Sequence, residues 1–476
     1  MAADATLIEK TAIEIVDLLR RGAISPLDLV DTLEQRLAVV EPAINALPTL
    51  CLERARDHAR RLMHRDLGDR GPLAGLPIPI KDLVPVAGVR TTFGSPIFAD
   101  FVPEDSESIV TRLEARGGIV YAKSNTPEFG AGGHTFNEVF GTTANPWNTA
   151  RSAGGSSGGA AAALASGCAW LAQGSDLGGS LRIPASFCGV VGLRPSPGRV
   201  PSGPDSHPYE LMTVEGPMAR NVTDAALALD AMTGRDETVP FATGDSQGAF
   251  LAAACNPRKP GRIAFSLDLG VTPVDPEVAA VVRGAVATLE AAGFEIVETG
   301  PDLAGAVEAF QVLRAVSYAV GKAPLLEQHR DKLKPEVIWN IEKGLALDGA
   351  AVIAAQREQA RLFHATREFM DGFDLLICPA TIVPPFPAEE RYVTACNGVA
   401  FETYIDWMAI TWVLTVVSLP VLAMPCGVTE DGLPVGLQVA GRPGGEVELI
   451  AMSKTIEDTL CDWRPETVPE LVLRCA

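Results

Sequence analysis

Two glycine-rich runs that carry serine constrain the fold more than any other feature of this 476-residue chain. The first covers residues 154–159 (GGSSGG) and the second covers residues 174–180 (GSDLGGS), so Ser156 and Ser180 lie 24 positions apart. Glycine adopts backbone conformations that other residues avoid, and it lets the chain approach a ligand closely. Successive N–H groups in such loops can converge on one anionic point. The runs therefore predict two tight loops beside one binding site.

Two kinds of site fit these loops, because converging N–H groups can hold either a phosphate or the oxyanion of an acyl-transfer reaction. The phosphate pattern GxxxxGK[ST] needs a lysine that does not follow these glycines, and the dinucleotide pattern GxGxxG is also missing. A single glycine run is often only a tight turn. Two runs that each carry serine favour nucleophilic catalysis, while a phosphate site stays open on the residues alone.

A catalytic serine needs a group that takes its proton, and histidine is the usual one. Of the six histidines, only His134 lies near the two runs in sequence, and no GxSxG pattern accompanies it. A lysine can act instead when burial lowers its pKa from about 10.4, because burial penalises the charged form. Lys81 follows the apolar stretch 76–80 (LPIPI), which predicts an extended strand that ends near this lysine. The alternative is a strand-end lysine that points into water.

The composition is that of a globular α/β protein with a large core, since 47% of the residues are hydrophobic and 21% are charged. Strands are predicted at 262–266 and 294–297, separated by a helix from Asp275-Pro276 to about residue 292, which favours βαβ units. We expect one large domain across residues 1–476. Its predicted parts are N-terminal helices at about 6–42, a core at about 70–200, a variable surface insertion at about 201–260 and a C-terminal α/β part at about 261–476.

Charge and targeting signals exclude several classes of function. A net charge of −20 without a cluster of Lys or Arg argues against nucleic acid as a partner. The nine cysteines contain no CxxC pair, and no histidines have the HExxH spacing of a metal site. The N-terminus lacks the pattern of a signal peptide, and the apolar stretch 408–424 is broken by Ser418 and Pro420. We therefore expect a cytoplasmic protein that makes no membrane contact.

Residues 154–199 resemble the signature block of the amidase signature family almost residue for residue. The similarity spans most of the chain, because five further segments also match: 75–82 (GLPIPIKD), 123–129 (KSNTPEF), 141–147 (GTTANPW), 216–220 (GPMAR) and 432–438 (GLPVGLQ). The resemblance implies an α/β fold with a mixed, mostly parallel sheet covered by helices on both faces. It also implies hydrolysis of a carbon–nitrogen bond through an acyl-enzyme, with no metal or organic cofactor.

The resemblance assigns the catalytic roles that the residues alone leave open. It implies that Lys81 is the base, that Ser156 follows a cis peptide bond and passes the proton, and that Ser180 is the nucleophile. It also implies an oxyanion hole, formed by the backbone N–H groups of Leu177, Gly178, Gly179 and Ser180.

Supporting and substrate-binding roles follow by the same analogy. Ser157, Asp176 and Arg182 are expected to support the loops through hydrogen bonds, although an ordinary surface ion pair is the alternative for Asp176 and Arg182. The residues expected to line the substrate channel are Phe129, Gly130 and Ala131. An aromatic residue in such a loop is equally often part of the core.

The substrate is expected to be a small molecule, namely a hydrophobic or aryl amide, anilide or carbamate, with ester or urethane cleavage as a side activity. No extra cation is evident in the sequence to bind a carboxylate, and we expect a monomer or a homodimer. One alternative is the glutaminase subunit of a tRNA-dependent amidotransferase, which usually has glutamine where this chain has Ile183 and a tyrosine-containing segment that residues 201–205 lack. Another is a non-catalytic binding protein with the same fold.

Overall fold

The N-terminal part of the chain is helical. The computed structural model of the protein describes residues 5–203 and 207–460, so Cys461, Cys475 and part of the segment 201–205 lie outside the described residues. The first three α-helices are α1 (Ala12–Arg20), α2 (Pro26–Ile44) and α3 (Leu52–Met63). Helix α2 begins with a capping box: Ser25 Oγ accepts the Asp28 N–H at 3.3 Å, and the Asp28 carboxylate accepts the Ser25 N–H at 2.8 Å.

A small three-stranded sheet carries the predicted base. Its strands are β1 (Thr49–Leu50), β2 (Pro77–Lys81) and β3 (Ile119–Ser124), in the order β1-β3-β2. Strands β2 and β3 are parallel, are buried at every residue and are connected by a segment that contains α4 (Ser108–Ala115). The strand predicted to end near Lys81 is thus confirmed. The segment between β3 and the first glycine run holds four short strands: β4 (Phe136–Asn137), β5 (Gly141–Thr142), β6 (Ala144–Asn145) and β7 (Asn148–Ser152).

The centre of the molecule is an eight-stranded sheet. The remaining strands in chain order are β8 (Leu171–Asp176), β9 (Val191–Arg194), β10 (Val214–Ala219), β11 (Ile263–Phe265), β12 (Ile296–Glu298), β13 (Leu375–Pro379), the β14 (Ala395–Cys396) and β15 (Val399–Ala400) hairpin, β16 (Val421–Val428) and β17 (Pro434–Ala440). The central sheet has the order β12-β11-β13-β17-β16-β9-β10-β8.

The sheet is mixed, as predicted, but mostly parallel pairing is wrong. Only the pairs β12–β11 and β11–β13 are parallel, and the five other neighbouring pairs are antiparallel. Short turns can join antiparallel strands, and only five residues separate β16 from β17. Within the central sheet, parallel pairing is restricted to the C-terminal βαβ units, where the sequence predicts alternating strands and helices.

Ten further α-helices accompany these strands: α5 (Gly158–Ala165), α6 (Arg182–Cys188), α7 (Val222–Met232), α8 (Ala249–Cys255), α9 (Pro276–Ala291), α10 (Ala306–His329), α11 (Pro335–Leu345), α12 (Gly349–Met370), α13 (Ala409–Val416) and α14 (Glu446–Thr459). The described part of the chain also contains six short 3₁₀ helices, at Ala5–Glu9, Leu67–Asp69, Pro96–Phe98, Glu128–Gly130, Arg330–Lys332 and Asp406–Met408. None of the helices within residues 5–203 and 207–460 has the length and apolar character needed to span a bilayer.

The middle of the segment 201–260, from β10 to the end of α7, is part of the core, which corrects the prediction of a surface insertion for this part, while most of residues 235–248 are exposed or half-buried. Strand β10 lies between β9 and β8 in the central sheet, and all six of its residues are buried. Helix α7 packs against β10, and ten of its eleven residues are buried. An element that is covered on all sides shows no alternation of polar and apolar residues, so periodicity could not reveal it.

Candidate active site

Lys81 lies at the end of β2 with its amine in a cluster of hydroxyl groups. Its Nζ atom is 2.7 Å from Ser156 Oγ, 2.8 Å from Ser157 Oγ and 3.0 Å from Ser175 Oγ. The side chain is completely buried, so the alternative of a lysine that points into water is wrong. Burial lowers the pKa of Lys81 to about 7, even though the nearby carboxylates act in the opposite direction.

Ser156 lies where the first glycine run meets α5. The Gly155–Ser156 peptide bond is cis, as the resemblance implies, and Ser156 is 2% exposed. Gly154 has a φ of +75°, and a Cβ atom at this position would lie 2.8 Å from Pro184 Cα. Only glycine fits such a turn without displacing its neighbours. The run therefore serves to bring the Ser156 hydroxyl to Lys81.

Ser180 lies in the loop between β8 and α6. Its side chain is half-buried and lines the same pocket as Ser156, and its carbonyl oxygen accepts the Ser157 N–H at 3.1 Å. Among the described residues, no side chain forms a hydrogen bond with the Ser180 hydroxyl. The structure thus brings Lys81 and Ser156 into contact and places Ser180 on the same pocket wall, without a direct hydrogen bond between the two serine hydroxyls.

The backbone N–H groups of this loop differ in availability. The N–H groups of Leu177, Gly178 and Ser180 have no hydrogen-bond acceptor within residues 5–203 and 207–460. The Gly179 N–H donates instead to the Asp176 carboxylate at 2.9 Å. Of the four amides predicted for an oxyanion hole, three are therefore open to a ligand, and that of Gly179 is engaged within the loop.

Asp176 and Arg182 form a buried ion pair that fixes the loop. The Asp176 carboxylate accepts Arg182 Nε at 3.0 Å and the Leu181 N–H at 3.1 Å, and both charged side chains are fully buried. A surface ion pair is therefore the wrong alternative. Burial alone would raise the pKa of Asp176, but Arg182 and then Arg194 hold it well below its usual range.

Arg182 also connects the loop to distant parts of the chain. One of its terminal nitrogens donates to the Thr411 carbonyl at 2.6 Å and to Gln438 Oε1 at 2.8 Å, and the other donates to Thr415 Oγ1 at 3.0 Å. The loop that carries Ser180 is thus held between α13 and β17.

The pocket in front of Ser180 has a volume of about 420 Å³ and a partly aromatic wall. Phe93 and Phe129 are stacked with ring centroids 6.5 Å apart, and both rings line the pocket together with Gly130 and Phe310. Two of the three predicted channel residues, Phe129 and Gly130, are therefore on the wall. Ala131 is 1% exposed and is buried in a separate apolar cluster, so the prediction for Ala131 is wrong.

Charged side chains also line the pocket, which corrects the expectation that no cation would be available there. Arg314 and Lys322 of α10 are both on the wall. Three carboxylates also face the pocket: Glu107, Glu210 and Glu215. The α10 helix follows the predicted core by more than 100 residues, so its side chains could not be assigned to the pocket from local sequence.

Three polar residues of the site were missed by the sequence analysis. Gln173 and Ser175 contact Lys81 from β8, and Arg194 of β9 donates to the Asp176 carbonyl at 2.5 Å. Residues 173 and 175 alternate along a strand and so lie on one face. Polar residues at alternate positions of a buried strand were the available signal. Within the described ranges, no group of three or more His, Cys, Asp or Glu residues could hold a metal ion.

Comparison with known proteins identifies the family. The sequence model of the family described as Amidase matches residues 28–450. The chain is 35% identical to an acylamidase of Rhodococcus erythropolis, with 91% of each chain covered. It is also 35% identical to one of the subunits of the glutamyl-tRNA(Gln) amidotransferase of Moorella thermoacetica, with 94% of this chain and 96% of the relative covered.

Solved structures give the same answer. The structure of a bacterial aryl acylamidase of the amidase signature family superposes with a TM-score of 0.87 at 28% identity, and covers 94% of this chain and 96% of that one. The structure of a 6-aminohexanoate cyclic dimer hydrolase with its substrate superposes with a TM-score of 0.86 at 28% identity, and covers 97% and 99%. The chain belongs to the amidase signature family and is a hydrolase of carbon–nitrogen bonds.

Proposed function

We propose that Ser180, Ser156 and Lys81 form the catalytic triad of this hydrolase. The observation that carries the proposal is the environment of Lys81, whose buried amine contacts three serine hydroxyls. No carboxylate in the described part of the chain lies within ion-pair distance of it. A buried lysine without a directly bound counter-charge favours its neutral form. A neutral amine can accept a proton from a hydroxyl, which is what a general base requires.

The first half of the reaction forms an acyl-enzyme. Ser180 Oγ attacks the carbonyl carbon of the substrate, and its proton passes through the Ser156 hydroxyl to Lys81 Nζ. The negative charge that develops on the carbonyl oxygen is held by the N–H groups of the nucleophile loop. Residues 177, 178 and 180 supply open N–H groups, and one such donor typically contributes about 2.7–4 kcal/mol to the transition state.

The acyl-enzyme is complete when the carbon–nitrogen bond of the tetrahedral intermediate breaks and the leaving amine takes the proton from Lys81 through Ser156. The second half of the reaction hydrolyses the acyl-enzyme and releases the acid. A water molecule then attacks the acyl carbon and gives its proton to the same relay, and Ser180 leaves with its proton restored. The relay requires the Ser156 and Ser180 hydroxyls to come into contact when the substrate binds. Catalytic hydrogen bonds commonly shorten in the substrate complex.

The pocket favours aryl amides and anilides as substrates. Phe93 and Phe129 form a stacked aromatic pair on the pocket wall, and Phe310, which also lines the pocket, is stacked on Trp412 with ring centroids 4.4 Å apart. Aromatic rings bind flat apolar groups by stacking, in addition to burying their surface. Similarity to the structure of a bacterial aryl acylamidase supports this class. Carbamates and esters present the same carbonyl to Ser180, so they are proposed as side substrates.

Kinetics of three variants test the triad. Ser180→Ala should abolish hydrolysis of an anilide, while Lys81→Met and Ser156→Ala should each lower kcat by roughly 10²–10⁴-fold, because each removes a proton-transfer group. The exposed Lys259 offers a matched control, and Lys259→Met should retain full activity. Full activity in any one of the three triad variants would refute the assignment.

A substrate panel separates the aryl proposal from its rivals. The values of kcat/KM for anilides, aliphatic amides, carbamates and esters should be highest for an aryl compound. A glutaminase role is the rival to exclude, because the amidotransferase relative is also 35% identical to this chain. Release of ammonia from glutamine at a higher kcat/KM than from any anilide would favour that role and contradict the aryl proposal.

A further inference from the structure

Glu215 faces the candidate base from a strand that the triad does not use. Strands β8 and β10 are antiparallel, and their register pairs Glu215 with Ser175. Side chains at paired positions project from the same face of a sheet. Ser175 Oγ is 3.0 Å from Lys81 Nζ, so Glu215 lies on the face of the sheet that carries the Lys81 amine. Glu215 is 8% exposed and lines the pocket together with Ser156 and Ser180.

A second connection runs through Gln173. Its Nε2 atom donates to Glu215 Oε2, and its Oε1 atom accepts the backbone N–H of Lys81 at 2.8 Å. Gln173 is fully buried, and both ends of its side-chain amide form hydrogen bonds, Nε2 with Glu215 and Oε1 with the backbone of Lys81. Since an amide donates from one end and accepts at the other, the carboxylate of Glu215 and the Gly174 carbonyl, which accepts the same Nε2 at 3.2 Å, together set the orientation of Gln173. The strand end that carries Lys81 is therefore held by a chain of hydrogen bonds that ends on Glu215.

We infer that Glu215 is a positioning residue for Lys81, which it holds through Gln173 and whose amine it stabilises in the charged form created during the reaction. The inference rests on the proposed role of Lys81 as the base. When Lys81 takes the proton of Ser180, a positive charge appears in a buried site. A carboxylate on the same face attracts that charge, and the attraction is strong because little water screens it.

The other charged groups around Lys81 are less suited to this task. Asp176 on β8 is neutralised by its contacts with Arg182 and Arg194, and Lys123 on β3 is paired with Asp82. Helix α5 carries no charged residue. Two further charged groups are bonded elsewhere: Arg36 donates to the Ser166 carbonyl, and Glu41 accepts the N–H groups of residues 46 and 47. The other charged or titratable residues lie on the pocket wall: Glu107, His207, Glu210, Arg314 and Lys322.

Burial and Glu215 act in opposite directions on the base. Burial lowers the pKa of Lys81, and Glu215 raises it, ahead of the smaller effect of Asp176. A base works best when its pKa is near the working pH, because a weaker base takes the proton less readily. Glu215 thus keeps the buried amine basic enough to accept the proton of Ser180.

The test compares pH profiles of kcat/KM for an anilide in the wild type, Glu215→Gln and Gln173→Leu. Glu215→Gln keeps an acceptor for Gln173 but removes the charge, so the acid limb should move to lower pH by about half to one unit, with a kcat plateau about 3–30-fold lower. Glu210→Gln removes a different carboxylate from the pocket wall, and it should shift the acid limb of the pH profile less than Glu215→Gln does. Gln173→Leu should lower kcat more than it changes KM and leave the limb in place.

The outcomes separate this inference from the proposed triad. An unmoved acid limb in Glu215→Gln, or a shift as large in Glu210→Gln, would overturn the inference while Lys81 remains the base. If Glu215→Gln fails to fold, an unchanged kcat in Gln173→Leu would overturn the positioning role by itself. Retained activity in Lys81→Met would instead refute the triad on which the inference rests.

Discussion

Lys81 and Lys123 are both completely buried at the ends of adjacent parallel strands, yet only Lys123 has a carboxylate partner. Lys123 Nζ is 3.4 Å from the Asp82 carboxylate and donates to the Val84 carbonyl at 2.6 Å. Lys81 contacts hydroxyl groups, and within residues 5–203 and 207–460 it forms no ion pair. Burial lowers the pKa of both lysines, to about 7 for Lys81 and to about 8 for Lys123. The partners distinguish a structural lysine from a candidate base.

The pH dependence of catalysis should follow the neutral form of Lys81. The pKa of Lys81 is lowered from its ordinary value to about 7, so the amine is protonated and inactive below this pH and neutral above it. The value of kcat/KM for a neutral anilide should therefore rise through a single step centred near pH 7 and reach a plateau above it. A profile that is flat from pH 5 to 9 would contradict this role.

Replacement by methionine should affect the two buried lysines differently: it should lower the stability of the protein at Lys123 and the activity at Lys81. Lys123→Met leaves Asp82 buried without its partner and should destabilise the protein by about 3–5 kcal/mol. Lys81→Met leaves no unpaired charge in direct contact and should change stability by less than about 1.5 kcal/mol, while activity is lost. Urea unfolding of both variants measures the difference. Equal loss of stability in the two variants would refute the distinction between them.

Asp176→Asn should be among the most destabilising single substitutions in the chain. The change leaves the positive charges of Arg182 and Arg194 without a counter-charge in a fully buried site. Breaking a buried pair from one side costs about 3–5 kcal/mol. Thermal unfolding should show a clearly lower Tm, and a Tm within experimental error of the wild type would contradict the role assigned to this pair.

Gly179→Ala should damage the nucleophile loop. Gly179 has a φ of +115°, and a Cβ atom there would lie 2.4 Å from Thr411 Oγ1 and 2.7 Å from Thr411 Cβ. The loop must shift to relieve this clash, which displaces the N–H groups proposed for the oxyanion and should lower kcat by about 10²-fold or more. Adding Thr411→Gly should restore only part of kcat, because the positive φ still disfavours alanine. Wild-type kcat in Gly179→Ala would contradict the proposed oxyanion hole.

The strands and loops that carry the site could be predicted because their signals are local. The apolar stretch before Lys81 and the glycines around Ser156 and Ser180 are each contained in a few consecutive residues. The cap formed by Ser25 and Asp28 is local in the same way. Such patterns depend only on neighbouring backbone and side chains, so they hold wherever the segment is placed in the fold.

The arrangement of the central sheet could not be predicted from the same signals. Strand β10 (VEGPMA) contains Glu215, Gly216 and Pro217, which are all unusual inside a strand, and it is buried because β8 and β9 flank it. Whether two neighbouring strands are parallel or antiparallel is likewise determined by the course of the chain segments that connect them. Both properties come from contacts far apart in sequence.

The candidate site was predictable only in part for a similar reason. Spacing alone left Ser180 without a base, and the resemblance to the family supplied Lys81 and Ser156. Glu215 reaches the site through the pairing of two strands that are separated by 37 residues of chain. Arg314 and Lys322 reach the pocket from α10, more than 130 residues after Ser180. No local pattern marks any of these contacts.

Covalent labelling of Ser180 tests the central claim most directly. The wild-type protein is treated with a fluorophosphonate probe, and the modified residue is located by mass spectrometry of its peptides. We predict one adduct per chain, on Ser180, that is absent from Ser180→Ala and strongly slowed in Lys81→Met because the attacking oxygen loses its base. An adduct on any other residue, or labelling of Ser180→Ala at the wild-type rate, would contradict the assignment of Ser180 as the nucleophile.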